Sequence, residues 1–108
     1  MTVTWSPHAQ DLLGDILVTI AEELSPEDAC RWQDKFDQSV SVLCDTPFIG
    51  RHVAPKCFAN PDDAEAEHLH QLLCGPYRII YEIGKDRVSI LSVRHCRMLI
   101  REDDTKWQ

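Results

Sequence analysis

Between positions 9 and 24 apolar residues recur three and four apart: Ala9, Leu12, Leu13, Ile16, Leu17, Ile20, Ala21 and Leu24. That spacing lays them along one face of a 3.6-residue helix and predicts an α-helix over residues 7–24. Ser6-Pro7 supplies its start, since a serine hydroxyl can accept from the free amides of the first turn and proline has no amide to satisfy there. A second stripe, Ala29, Trp32, Phe36, Val40 and Leu43, predicts a helix over 26–44. It opens on Ser25-Pro26-Glu27-Asp28, which puts carboxylates where the helix dipole favours them. So short a connection folds the two helices back on each other as an antiparallel hairpin.

The pattern on either side of the hairpin has the period of strands. Thr2-Val-Thr-Trp5 alternates, and residues 69–73, 77–83 and 87–95 are rich in Leu, Ile, Val and Tyr, separated by Cys74-Gly-Pro76 and Gly84-Lys-Asp86. Pro47-Phe-Ile-Gly-Arg51 reads as a turn, and prolines, Asn60 and acids make residues 52–67 a loop with at most a short strand or helical turn. The acidic run from Asp62 to Glu67 reads as a solvated part of that loop. The predicted class is α+β: an N-terminal strand, an antiparallel helical hairpin, then a three-stranded antiparallel run completing a small sheet. Both faces of 77–83 and 88–93 carry apolar residues, which suits central strands. At 108 residues the chain suits one domain over 1–108, with the polar residues 102–108 expected to fray. Trp5, Trp32 and Phe36 are expected to fill the core between helices and sheet.

The turn at Gly84 decides which side chains share a face. A four-residue turn, 84–87, pairs Ile83 with Val88 and Tyr81 with Ile90, which are favourable cross-strand pairs. Carried down the strand, it puts Arg78 opposite Val93, on the face of His95 and Arg97. A one-residue slip would put Arg78 with Ser92 and Arg94.

Charge changes the picture in one respect. A net charge of −7 with His neutral argues against a generally nucleic-acid-binding surface. From Tyr77 to Arg101, however, Arg78, Lys85, Arg87, Arg94, Arg97 and Arg101 face only Glu82 and Asp86. The five cysteines form no Cys-x-x-Cys pair and read as reduced thiols, mostly small buried packers. His68-x-His70, with His52, Cys57 and Cys74, offers zinc-type ligands without the usual spacing, so no metal and no cofactor is expected. No apolar run approaches the roughly 20 residues that cross a bilayer, and no basic-then-apolar leader opens the chain. A cytoplasmic location without a membrane partner is the expectation.

Four pieces carry a family resemblance in order and spacing: Val3-Thr-Trp-Ser-Pro7, Pro47-x-x-Gly-Arg51, Tyr77-Arg-Ile-Ile-Tyr81 and Ile90-Leu-Ser-Val-Arg-His95. With them, residues 2 to 97 resemble the ParE/RelE superfamily of bacterial toxins. The resemblance implies a compact toxin wrapped by an extended or helical segment of a cognate antitoxin, in a hetero-oligomer. Two activities divide that superfamily: ParE-like members poison DNA gyrase, and RelE-like members cut mRNA on the ribosome. Cleavage needs positioned bases, acids and cations. RelE-like toxins supply lysines near the helix–sheet connection, arginines on later strands and a tyrosine near the C-terminus. Arg78 matches the first such arginine and Arg97 approximates the second. The loop, however, offers only Arg51, His52 and Lys56, and no tyrosine follows Tyr81. The overall acidity also suits ribosomal RNA poorly. The ParE-like reading is therefore preferred, with gyrase as target and no catalytic residue required. The ribosome-dependent endoribonuclease is the alternative (Arg78, His95 and Arg97 as candidates), and a non-toxic binding module the third. In every case Arg78, Arg94, His95 and Arg97 are the residues expected to meet target or antitoxin.

Overall fold

The computed structural model describes residues 1–60 and 68–108; the acidic run expected to be a solvated loop lies outside them. Strand β1 (Thr2–Trp5) leads into α1 (Pro7–Glu23) and α2 (Pro26–Asp45). A 3-10 turn at Pro47–Ile49 precedes the two-residue strand β2 (Arg51–His52), and a second turn, Pro55–Cys57, follows it. Then come β3 (Leu69–Cys74), β4 (Tyr77–Ile83), β5 (Arg87–His95) and a last turn at Glu102–Asp104. The serine caps act as expected: Ser6 Oγ accepts from Ala9 N–H at 3.0 Å and Ser25 Oγ from Asp28 N–H at 3.0 Å.

The α+β class and the hairpin hold, but the sheet has five strands rather than four, in the order β1-β5-β4-β3-β2. β1 lies parallel to β5, with Val3 opposite Val88 and Trp5 opposite Ile90. The short edge strand β2 pairs with β3 through Arg51–Gln71 and His52–His70. The loop read as holding at most a short strand or helical turn supplies this strand at its start, together with the turn at Pro55–Cys57.

The hairpin covers one face of the sheet. Ala9, Phe36 and Leu43 from the helices pack on Ile79, Tyr81, Val88, Ile90 and Val93. Trp5 and Trp32 pack at the margin of this core rather than inside it, whereas Phe36 is fully buried. Trp32 meets the Tyr77 ring edge-on at 5.4 Å and also lies against Gly75, whose φ of 59° suits glycine and whose added Cβ would strike that indole. The far face carries a second apolar cluster: Phe58, Leu69, Ile80, Leu91 and Ile100.

Two expectations fail here for physical reasons. Residues 102–108 do not fray: Asp104 is fully buried, and the His8 amide donates to Gln108 O at 2.7 Å. Of the cysteines only Cys74 is buried; Cys30 and Cys44 lie on α2 and are exposed, Cys44 with its thiol on the Met1 carbonyl.

Candidate functional site

The register near the turn is the one expected, with Ile83 opposite Val88 and Tyr81 opposite Ile90. One residue later it shifts. Ile80 pairs with Ser92, so Leu91 is an extra residue, a β-bulge that sends both Leu91 and Ser92 to the far face. Below the bulge Arg78 lies opposite Arg94 and Tyr77 opposite His95. The face expected to unite Arg78 with His95 and Arg97 is thereby broken. His95 turns to the hairpin side, edge-on to Tyr77 at 5.6 Å, and Arg97 lies beyond the strand, exposed.

On the far face the two arginines have different surroundings. Arg94 donates through Nε to both carboxylate oxygens of Asp104, each at 3.0 Å, and Nη2 reaches Oδ1 at 2.9 Å. Asp104 also accepts from Ser92 Oγ at 2.8 Å and the Arg101 amide at 3.0 Å, and lies 2.9 Å from His8 Nε2. Burial pushes the Asp104 carboxyl up, but the hydrogen bonds from Arg94, His8, the Arg101 amide and Ser92 outweigh it and hold the group below its usual range. Arg78 is only 7% exposed and donates through Nη2 to the Cys96 carbonyl; its Nε and Nη1 are buried without a hydrogen-bond partner. His95 Nδ1 accepts from the Arg97 amide at 3.1 Å.

Sequence reasoning missed Asp104, which gathers side chains from α1 and β5 and the backbone amide of Arg101. It lies 96 residues from His8 and 10 from Arg94, so only its place three residues after Arg101, at the start of a helical turn, gave a local hint. His8, Asp103 and Asp104 bring potential metal-ligand atoms within 4.8 Å of one another. Both Asp104 oxygens are already engaged by cationic or N–H donors, a poor donor set for a cation. At the other sheet edge the His52 and His70 rings lie 4.4 Å apart, and His70 stacks on Tyr81 at 5.5 Å. Desolvation, then the neighbouring His52, lowers the His70 pKa.

Two of the motif pieces that carried the resemblance meet each other in the structure. Tyr81 Oη donates to Pro47 O at 2.8 Å and accepts from Gly50 N–H at 3.1 Å. A Cβ at Gly50 would sit 2.2 Å from that hydroxyl, so only glycine fits. The Pro47-x-x-Gly turn is thus pinned to the sheet by Tyr81.

Two surfaces remain open. A groove of about 370 Å³ separates α2 from β3 and is bordered by Ser39, Val42, Leu72 and Leu73. Among the described residues β2 pairs with β3 only at His70 and Gln71, which leaves the outer edge at 72–74 unpaired, with Leu73 62% exposed. A second groove of about 430 Å³ runs between α1 and α2. No described helix is long and apolar enough to cross a membrane.

Over residues 3–100 the sequence matches the family model described as "ParE toxin of type II toxin-antitoxin system, parDE". No curated protein matches it. Among solved structures the fold is similar to a chain described as "Chromosomal ParDE TA system from P. aeruginosa". The TM-score is 0.68 at 18% identity, covering 88% of this chain and 95% of that one. At that identity the likeness speaks for the fold.

Proposed function

The chain belongs to the ParE toxin family of type II toxin–antitoxin systems, and on that premise we propose that it inhibits DNA gyrase in the cytoplasm and is neutralised by a cognate antitoxin. The observation that carries the choice of gyrase over mRNA is the fate of the sheet arginines. Phosphodiester cleavage needs cations and a proton-transferring group converging on one accessible point. Here Arg78 is buried, Arg94 is neutralised by Asp104, and His95 and Arg97 leave on other sides. What remains accessible is protein-binding surface: the unpaired edge of β3 with Leu73, and the hairpin. An extended antitoxin segment can add to that edge, its backbone pairing with residues 72–74 and its side chains entering the groove against α2.

The test is controlled expression with two readouts. Gyrase poisoning predicts loss of supercoiling activity and a DNA-damage response, both suppressed by co-expressing the adjacent gene. Ribosome-dependent cleavage of mRNA without gyrase inhibition would overturn this reading in favour of the endoribonuclease. Harmless overexpression would remove the toxin reading.

A further inference from the structure

His52 and His70 have no metal-ligand spacing in the sequence; the sheet is what joins them. The two-residue strand β2 sets His52 directly opposite His70 on β3, and the ring centroids lie 4.4 Å apart with a tilt of 37° between the planes. Residues opposite each other on paired strands project their side chains from the same face of the sheet. Two imidazoles that share one ion, each nitrogen about 2.0–2.1 Å from it, have centroids roughly 4.5–5 Å apart. The observed separation is close to that, so small side-chain rotations bring a nitrogen of each ring to a common point.

The His70 ring is already arranged for the role. Its Nδ1 lies 3.2 Å from the His68 carbonyl oxygen, which can only accept, so a hydrogen bond there puts the proton on Nδ1 and leaves the lone pair on Nε2. Metal-binding histidines commonly hold their second nitrogen on a carbonyl in this way, which fixes tautomer and ring orientation. Stacking on Tyr81 at 5.5 Å holds the ring plane, and the Tyr81 hydroxyl is itself anchored by Pro47 and Gly50. Desolvation, then the neighbouring His52, disfavours the protonated ring, so His70 is neutral at pH 7, as a ligand must be.

We infer that His52 and His70 chelate a divalent transition-metal ion of the zinc class, through Nε2 of His70 and one ring nitrogen of His52. Imidazole nitrogen suits zinc, whereas magnesium and calcium require oxygen ligands. Among the described residues no third His, Cys or carboxylate brings a ligand atom within 4.8 Å of both, so solvent completes the coordination shell. An ion held across β2 and β3 ties down an edge strand that is joined to the sheet by two residue pairs. The inference stands whether or not the chain poisons gyrase.

The experiment titrates zinc chloride into the purified chain carrying Cys30→Ser and Cys44→Ser, which removes the exposed thiols as rival ligands, and follows thermal unfolding with and without zinc. This parent should bind a single ion and unfold at a higher temperature with zinc, because an ion held by the folded chain shifts the equilibrium toward it. His52→Ala should bind about tenfold or more weakly. His70→Phe keeps an aromatic ring on Tyr81 but offers no nitrogen. It should fold, bind about tenfold or more weakly and lose the zinc-dependent rise in unfolding temperature. No zinc binding by the parent overturns the inference. Binding that survives undiminished in both histidine variants also overturns it, and would place the ion elsewhere, as at His8, Asp103 and Asp104.

Discussion

Under the helices, the sheet core is apolar: Phe36 and Leu43 pack against Tyr81, Ile90 and Val93, all essentially without exposure. Across the strands, Leu91 and Ile80 share the opposite face with a carboxylate, a guanidinium and a serine hydroxyl, tied to α1 through His8. The first face depends on shape and volume. The second adds a buried ionic clasp that fixes the C-terminal turn to the body, and such a clasp is tolerated only while every partner is present. Arg78 and Arg94 are here taken up by the architecture of an acidic chain, which leaves the hairpin and the β3 edge as the surfaces proposed for binding.

The largest expected effect is on the apolar face. Phe36→Ala removes a fully buried ring between Trp32 and Tyr77 and should cost about 3–5 kcal/mol in urea unfolding. The far face should respond less to a single truncation. Asp104→Ala leaves Arg94 unpaired, but that side chain keeps 15% exposure, so the cost should be about 2–3 kcal/mol. A far-face loss exceeding that of Phe36→Ala would reverse the ranking of the two faces.

Sequence pattern reached the first face and not the second. Two Ser-Pro starts and two stripes placed both helices within a residue of their ends, because capping and amphipathicity are local. The turn at Gly84 gave Ile83–Val88 correctly, since turn length sets pairing nearby. The bulge at Leu91 had no such signal: an apolar residue followed by Ser92 reads as ordinary alternation, yet the extra residue reverses the face of everything up to His95. The candidate site inherited that error, and Arg78 with Arg94 replaced Arg78 with His95 and Arg97. Asp104 lay in a polar tail that gave no reason to expect burial, because its partners are assembled only by the fold.

Acid should separate the faces further. The Asp104 carboxyl titrates below its ordinary value of 3.8 in the folded chain, so the stability it supplies is present above that pH and lost as pH falls through the folded pKa. The wild type should therefore lose stability steeply below pH 3.8, and Asp104→Asn, weaker at neutral pH, should show a flatter decline. Parallel curves would mean the carboxylate is not what the acid attacks.

The smallest effect belongs to the β2 edge. His70 has a folded pKa below 6.5, so the unfolded chain takes up the proton first and stability declines slightly as pH falls from 6.5 toward the folded value. His70→Phe should remove that slope while keeping the stack on Tyr81. A slope unchanged in His70→Phe would place the titration on another group.

Whether the far-face arginine serves the fold or the target is decided most directly by exchanging the ion pair for apolar residues of similar size. Arg94→Met combined with Asp104→Leu removes both charges at once, which buried pairs often tolerate where single changes are not tolerated. The account predicts a double variant that folds, loses no more stability than Asp104→Ala because Arg94 is not left unpaired, and arrests growth as strongly when expressed. A double variant that folds but no longer arrests growth would contradict it, and would return Arg94 to the toxin's working surface.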